Sequence, residues 1–505
     1  MRESRKTFNI FIIMNIITKN LIHSFELIKG LSFSEITAEG LTFDFSNPRI
    51  VFGDDSLVLK FDAKYSDELN DAFGEYQPRI SIHFKSNKYI IPKGASFFGG
   101  NLIVGDTEMR TYTIKINKIV SGCFENDNEY YYRLMYPIDR GDWGLLISGI
   151  DFLYKRPNCL TKSGGLLAAD IDKGQIHIYF AQDLNNKYLV IDCCFKTTAN
   201  QVYKISNAVR LSIALFTGRF YGSYYYQMAF EKEDFDNPIG LKVSVDRSSF
   251  VCRYRIYDNN IDFVRSLLQR NSCQQRAFDE IKKMIPYDDS CWYFMDNITN
   301  YLVFSNLVRL LYNDNNLMIA CSLLLEATTQ PVIMQESPYL LALEAITSYI
   351  NKQTVNDRDN NTPIIDKELY NKSILPKLNK IIEDVFGIDS DVTKIIKGRL
   401  KNSLNNKTNQ RKLEDPYDSY GYKLTKLDIS AISERNKTFH GHLVSSGDLA
   451  EKEAKKFAIS LRLHKLCCVL LLKLAGFEGY ILNNEVLFGF EEACLDENEH
   501  AMIKI

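Results

Sequence analysis

The sequence predicts an α+β protein of more than one domain, in which an antiparallel, sandwich-like β-rich domain precedes an all-α helical bundle. The chain has 505 residues, which is more than a single hydrophobic core usually serves. Up to about residue 250, short apolar runs alternate with turn residues. Beyond that point the runs lengthen, and their apolar positions recur at helical spacing.

Residues 1–29 form a separate N-terminal segment, in which basic residues precede an apolar run from Phe8 to Ile17. This order is typical of a signal peptide, but two asparagines interrupt the run and no cleavage site of small residues follows it. The run is also too short to span a bilayer, so we expect no membrane association. Met14 is an alternative first residue.

Residues 30–250 are predicted to form the β-rich domain, because many short strands follow one another without intervening helices. Period-two alternation is clear where Tyr112, Ile114 and Ile116 alternate with polar residues. The predicted strands are GLTFDF (40–45), SLVLKFDAKY (56–65), RISIHF (79–84), MRTYTIKINKIV (109–120), GLLISGIDFLY (144–154), IHIYF (176–180) and KYLVIDCCF (187–195).

One predicted helix and one aromatic segment complete this domain. The helix covers ANQVYKISNAVRLSIALFTG, whose apolar residues recur on one face and whose last residue, Gly218, is a suitable helix stop. The aromatic segment is RFYGSYYYQMAF (219–230). Its rings either form a platform on which bases or sugars stack or belong to the hydrophobic core, which is their more common role.

The remaining chain is divided into a connecting helical segment (251–284), a helical domain (285–480) and an acidic C-terminal tail (481–505). The last long helix begins with a capping-box pattern at Asp448 and Glu451 and ends before Gly476. Earlier helices are predicted at 300–312, 317–327, 337–350, 377–386, 391–404 and about 427–440, and polar loops at 351–363 and 405–421.

Charge and cysteine usage restrict the possible function classes. The formal charge is −2, so a nucleic-acid site must be a local basic patch. The 11 cysteines include no C-x-x-C pair, and this spacing suits neither a zinc ribbon nor a disulfide framework. We therefore expect reduced thiols and a cytoplasmic location.

The segment SERNKTFHGH (433–442) places Arg435, Asn436, His440 and His442 close together in sequence. Helical spacing puts Arg435 and His440 on the two sides of an apolar stripe. Residues five positions apart differ by about 140° around a helix and about 7.5 Å along it, so one helix does not bring both side chains to one phosphate. If two copies of the helix packed against each other through this stripe, Arg435 and His440 of one copy would lie beside those of the other. We therefore expect a homodimer or higher homo-oligomer. The stripe consists of Ile429, Ile432 and Phe439.

These residue types suit RNA cleavage without a metal ion or another cofactor. An imidazole can take a proton from a ribose 2′-OH or give one to the leaving oxygen. A guanidinium binds a phosphate through two parallel hydrogen bonds and stabilises the added negative charge. In the alternative interpretation, Arg435 is a surface arginine and His440 is a histidine favoured by the dipole at a helix end.

His442 has three possible roles. It contacts the substrate, orients His440, or is a solvent-exposed loop residue. A metal pair of His440 and His442 is less favoured, because no third ligand of suitable spacing lies nearby in the sequence.

The motif Arg435-Asn436-x-x-x-His440-Gly441, late in a helical domain, resembles the Arg-x(4–6)-His motif of HEPN-domain ribonucleases. Residues 285–480 are similar in layout to the Apea-like branch, in which a variable β-rich region precedes the helical domain. The resemblance implies a homodimeric, metal-independent endoribonuclease that leaves 2′,3′-cyclic phosphate ends, with Arg435 and His440 catalytic and Asn436 as the polar residue after the arginine. It also implies a toxin of bacterial antiviral defence by abortive infection, with the β-rich domain sensing a phage-derived trigger.

A basic run between Thr393 and Lys412 contains no acidic residue and is a candidate RNA-binding surface. More commonly, such a run is simply a solvated helix face. The residues at its start are Lys394, Lys397, Arg399 and Lys401.

Three further interpretations remain open. Glu344 lies within the apolar helix SPYLLALEAITSYI, where it either takes part in the site or simply faces water. The helical domain is alternatively a catalytically inactive dimer that binds RNA or a protein. The β-rich domain is alternatively a carbohydrate- or ligand-binding domain that uses Tyr224 or Tyr226.

Overall fold

The computed structural model describes residues 17–31, 35–38, 45–52, 57–64, 80–84, 87–92, 109–125, 128–138, 150–156, 159–183, 186–256, 301–354, 365–388, 390–401, 408–439 and 449–505. The chain divides into two compact units. Unit 1 comprises residues 1–261, 287–318 and 475–479, and unit 2 comprises residues 262–286, 319–474 and 480–505. Unit 1 is rich in β-strands and unit 2 is mostly helical, so the α+β class is confirmed.

The strands that the structure describes in unit 1 form two main sheets. The strands are β1 (Ile17–Asn20), β2 (Glu35–Ala38), β3 (Phe45–Phe52), β4 (Leu57–Lys64), β5 (Ile80–Phe84), β6 (Asn87–Ile91), β7 (Met109–Ile116), β8 (Lys118–Ser121), β9 (Tyr130–Ile138), β10 (Ile150–Arg156), β11 (Cys159–Ile171), β12 (Gly174–Asp183), β13 (Asn186–Thr197), β14 (Arg219–Phe220), β15 (Tyr224–Phe230), β16 (Pro238–Val245) and β17 (Phe250–Val251). The larger sheet has the order β1-β10-β11-β12-β13-β9-β15-β16-β8-β6-β5-β2, and the smaller has the order β3-β4-β7. β1 pairs with β10 in parallel, and the neighbouring pairs are antiparallel.

The two sheets share one hydrophobic core, as expected for a sandwich. Along β4, buried and partly exposed residues alternate, which is the period-two pattern of a strand with one face in the core. Leu59 of β4 and Ile114 of β7 lie in the same core cluster as Tyr226 and Met228 of β15. The prediction of a β-rich, mainly antiparallel N-terminal region is therefore confirmed.

Among the described residues, three α-helices lie entirely within unit 1: α1 (Ile22–Lys29), α2 (Ala199–Thr217) and α3 (Tyr301–Asn313). The helix predicted before Gly218 is α2, and the glycine ends it with a left-handed φ of 70°. α2 packs on α3, and α3 packs on β11. The sequence assigns α3 to the helical domain, whereas the structure groups it with the β-rich unit.

A buried ion group fixes α1 and β1 to the large sheet. The guanidinium of Arg133 donates to both carboxylate oxygens of Asp192, at 2.7 and 3.0 Å, and to the hydroxyl of Ser24 at 3.1 Å. The ammonium of Lys19 lies 3.3 Å from the carboxylate of Asp192. The hydroxyl of Tyr179 donates to the same carboxylate at 2.9 Å. Burial by itself raises the pKa of Asp192, but the two cations outweigh it and bring the pKa to about 2.

The next helix, α4 (Asn315–Ala327), contains the boundary between the units, and the remaining elements belong to unit 2. These are α5 (Val332–Thr354), α6 (Lys367–Leu369), a π-helical turn (Tyr370–Ile374), α7 (Leu375–Phe386), α8 (Asp391–Arg399), α9 (Asn409–Ser419), α10 (Lys426–Phe439), α11 (Leu449–Leu474), β18 (Tyr480–Leu482), α12 (Asn484–Leu487), α13 (Glu491–Leu495) and β19 (Met502–Lys504). α5 and α11 pack closely on each other, and α9 and α10 both pack on α5. No helix of the described ranges reaches the length and hydropathy needed to cross a membrane.

Two sequence predictions for unit 2 are wrong. The supposed polar loop 405–421 contains α9, because Thr408 caps the helix and Leu413 and Tyr417 are buried. The supposed acidic tail is folded: β18 pairs with β19, and Glu485 and Glu499 are buried. In both segments tertiary contacts outweigh the polar composition. The predicted capping residue Asp448 lies outside the described residues.

Candidate active site

Arg435 lies on α10, a helix with a well-defined start. The backbone N–H of Thr425 donates to the carboxylate of Asp428 at 3.0 Å, and the N–H of Asp428 donates to the hydroxyl of Thr425 at 3.2 Å. This reciprocal pair satisfies two of the N–H groups that a helix start leaves unpaired. Ala431 and Ile432 face the core, so the position of α10 is fixed both by its cap and by its apolar side.

Arg435 is partly buried and forms an ion pair within its own chain. Its Nε donates to Oε1 of Glu344 on α5, and the side-chain exposures are 26 % for Arg435 and 33 % for Glu344. Glu344 therefore does not simply face water, since it is paired with Arg435. Since 91 positions separate the two residues, no local pattern links them. The one sequence signal was a carboxylate within an apolar helix.

Five buried charged residues, which we call the ionic cluster, hold α10 against α11 and the C-terminal segment. Arg462 NH1 lies 2.9 Å from Asp428 and 2.6 Å from Glu499, and its NH2 contacts Glu485. The ammonium of Lys465 lies 3.0 Å from Asp428 and 3.7 Å from Glu499. All five side chains are nearly inaccessible to water. Buried charges of this kind fix geometry, because each is costly to leave without its partners.

The ionic cluster contains two cations and three carboxylates, and one carboxylate has a strongly altered affinity for protons. Burial raises the pKa of Glu485 to about 7, although Arg462 and Lys465 act in the opposite direction. For Asp428, burial also raises the pKa, but the two cations outweigh it and the pKa is lowered. Protonation of Glu485 would therefore leave the cluster with equal numbers of positive and negative charges.

The remaining predicted catalytic residues lie beyond what the structure describes. The backbone of Asn436 belongs to α10, and its side chain is not among the described ones. His440 and His442 follow the helix and lie outside the described residues. The structure thus confirms the predicted helix and places Arg435 near its end.

The apolar stripe of α10 is not free as a whole to contact a second copy. Ile432 is 1 % exposed and packs in the core of unit 2, whereas Ile429 is 39 % exposed. The side chain of Phe439 lies outside the described ones. Association of two helices through the complete stripe, as the sequence suggested, is therefore wrong.

The basic residues of α8 are partly neutralised by nearby carboxylates. The ammonium of Lys397 pairs with Glu383 of α7, and that of Lys394 lies 3.7 Å from Asp391. Arg399 and Lys401 are exposed. The acidic partners precede the run in sequence, which is why the run itself looked purely basic.

Exposed apolar side chains also lie on α7, α8 and the turn between them. Each exposes close to half of its surface or more, which is unusual for six large apolar residues within 15 positions. An RNA backbone alone does not account for such a surface. The residues are Ile381, Val385, Phe386, Ile388, Val392 and Ile395.

The aromatic segment 219–230 is core and not a stacking platform. Tyr225 and Tyr226 are each 3 % exposed, and Phe220 and Phe230 are almost completely buried. Tyr224 stacks on Phe52 with ring centres 5.0 Å apart. The proposed carbohydrate site at Tyr224 and Tyr226 is therefore wrong, because Tyr226 is buried and Tyr224 is stacked on Phe52.

In comparisons with known proteins, no family model, curated protein or solved structure matches this chain. Among the residues that the structure describes, no three histidine, cysteine or acidic side chains are grouped as metal ligands would be.

Proposed function

We propose that unit 2 carries the active site of a metal-independent endoribonuclease, in which Arg435 stabilises the attacked phosphate and His440 transfers protons. The observation that carries this proposal is the fixed position of Arg435, a partly buried guanidinium held by Glu344 one turn before the end of α10. His440 is the next residue after that helix. Orientation by a second side chain is typical of catalytic groups, since small displacements are costly in rate.

The proposed reaction is an internal transfer of a phosphodiester. The ribose 2′ oxygen attacks the adjacent phosphorus while the imidazole of His440 removes the 2′ proton. A guanidinium stabilises the additional negative charge on the phosphoryl oxygens. The bond from phosphorus to the 5′ oxygen then breaks, and that oxygen receives a proton from an imidazolium. The products are a 2′,3′-cyclic phosphate and a 5′-hydroxyl.

The proposed active site is shared between two copies of the chain. Arg435 and His440 are five positions apart, so one α10 helix does not direct both side chains at one phosphate. Because Ile432 packs inside its own unit, we place the contact at the C-terminal ends of the two α10 helices. There the arginine of one copy and the histidine of the other would meet.

The wider role is proposed from the resemblance to HEPN-domain ribonucleases. We propose a cytoplasmic toxin of antiviral defence, with the β-rich unit 1 as the sensor of a phage-derived trigger. This part rests on analogy with a family layout, and its test is the loss of defence after separate changes in each unit.

A specific observation also supports a second candidate, a catalytically inactive dimer that binds RNA or a protein. Glu344 already neutralises much of the charge of Arg435, and a catalytic arginine must keep charge available for the substrate. In this alternative the Arg435–Glu344 pair only joins α10 to α5.

The decisive experiment is mass spectrometry of RNA ends produced by the purified full-length protein in the presence of EDTA. The active form should give 2′,3′-cyclic phosphate ends, and His440→Ala should give none. His23→Ala, which changes an exposed histidine of unit 1, is the matched control and should retain full activity. Equal cleavage by wild type and His440→Ala would remove His440 from the mechanism.

Glu344→Gln separates the two candidates further. If Glu344 orients a catalytic arginine, its replacement should slow cleavage by about tenfold to a hundredfold. RNA binding without cleavage in the wild type, unchanged in Glu344→Gln, would support the inactive dimer instead.

A further inference from the structure

A cavity of about 310 Å³ lies in unit 2, and Arg435 is not among the residues that line it. Its walls are the turn that precedes α10, the end of α11 and the C-terminal segment around β19. Thr425, which caps α10, and Lys473 of α11 are on these walls. The cavity is at the lower end of the roughly 300–1,000 Å³ that is usual for small-molecule sites, so it suits a compact ligand.

Three lysines give the cavity a positive lining. They are Lys423, Lys473 and Lys504, and His500 adds an imidazole. Lys423 and Lys504 are exposed, whereas Lys473 is half-buried. Within the described part of the chain, no carboxylate lies within 4.0 Å of these three ammonium groups. Their charge is therefore available to a ligand.

The acidic residue of the lining does not neutralise these lysines. Glu499 is 1 % exposed, and both of its carboxylate oxygens are already bound. Oε1 accepts from Arg462 at 2.6 Å and from Thr425 at 2.7 Å, and Oε2 accepts from Asn483 at 2.8 Å. The three ammonium groups on this concave surface therefore attract anions.

We propose that this cavity, the lysine pocket, binds a small phosphate-bearing molecule of about the size of a mononucleotide. Ammonium groups are common phosphate ligands, because each is a point charge with three N–H donors. The three lysines lie on separate parts of the chain, so they surround the cavity and do not form one solvated helix face. This inference is independent of RNA cleavage at Arg435.

The test is isothermal titration calorimetry of the full chain with inorganic pyrophosphate at low salt. Wild type should bind, and higher salt should weaken binding. Lys423→Gln/Lys473→Gln/Lys504→Gln should lose at least about tenfold in affinity, which corresponds to about 1.4 kcal/mol. The control, Lys377→Gln/Lys380→Gln/Lys455→Gln, removes three exposed lysines of the same unit and should bind within about twofold of wild type. Absence of binding by wild type, or an equal loss in both triple variants, would overturn the proposal.

Competition experiments identify the source of the phosphate. Displacement of pyrophosphate by adenosine monophosphate supports a free small ligand. Displacement by a 5′-phosphorylated trinucleotide alone would show that the pocket takes an RNA end, and would overturn the small-molecule assignment. If the triple variant fails to fold, the three single Lys→Gln variants replace it, and each should lose about threefold; no loss in any of them contradicts the proposal.

Discussion

Replacing Glu485 by glutamine removes one of the three carboxylates of the ionic cluster and keeps the shape of the side chain. In the unfolded chain Glu485 titrates near its ordinary value of 4.5, whereas burial raises the pKa in the folded protein to about 7. Below pH 4.5 the carboxyl group is protonated in both states. Between pH 4.5 and 7 the unfolded chain releases its proton and the folded protein keeps it, so the folded state loses stability as the pH rises.

The magnitude follows from this difference in pKa. A difference of roughly 2.5 units corresponds to about 3 kcal/mol at a pH above both values. Glutamine does not titrate, so the variant lacks this contribution to the pH dependence. We expect the free energy of unfolding of Glu485→Gln, relative to wild type, to increase by about 2–3 kcal/mol between pH 5 and pH 8.

The assay is urea unfolding of the full chain at several pH values, with Glu492→Gln as an exposed control on the neighbouring helix α13. Subtraction of the wild-type values removes the contributions of other titrating groups, including His464, whose pKa is lowered by burial to about 3. A difference between Glu485→Gln and wild type that does not change with pH would refute the reasoning. The control should show no such change.

Two further predictions concern the other charged groups of the two units. Neutralising Lys394, Lys397, Arg399 and Lys401 together should weaken RNA binding and reduce the magnitude of the slope of log affinity against log salt concentration. The expected reduction is about 1–3, because two of these side chains already have acidic partners. An unchanged slope in filter-binding measurements would exclude the four residues from the RNA site. Asp192→Asn should lower the free energy of unfolding by about 3–5 kcal/mol in urea denaturation, because it leaves Arg133 and Lys19 buried without their counter-charge. The exposed control Glu231→Gln should change it little, and a cost below about 1 kcal/mol for Asp192→Asn would contradict the proposed role of the buried group.

The sequence predicted much of the local structure correctly. Hydrophobic periodicity and a terminal glycine gave α2 and its end at Gly218, and alternation gave β4. Both signals depend only on residues that are close in sequence, so they can be recognised without knowledge of the tertiary structure. The helix that carries Arg435 was predicted for the same reason, and its observed range is Lys426–Phe439.

The interpretation of polar and aromatic segments needed the tertiary structure. The polar segment around α9 is helical because Leu413 and Tyr417 are buried where α9 packs on α5. The side chains of the aromatic strand β15 are buried because neighbouring elements pack against it. Composition alone does not distinguish a solvated segment from one that distant elements cover.

What the sequence by itself determined is a part of the local structure, including α2, β4 and α10, and the position of Arg435 near the end of α10. Only the tertiary structure decided that Arg435 pairs with Glu344, that Ile432 is buried, and that the acidic C-terminal residues belong to the ionic cluster. The physical reason is range: backbone hydrogen bonding and hydrophobic periodicity act over a few residues, whereas ion pairs and burial join side chains from distant parts of the chain.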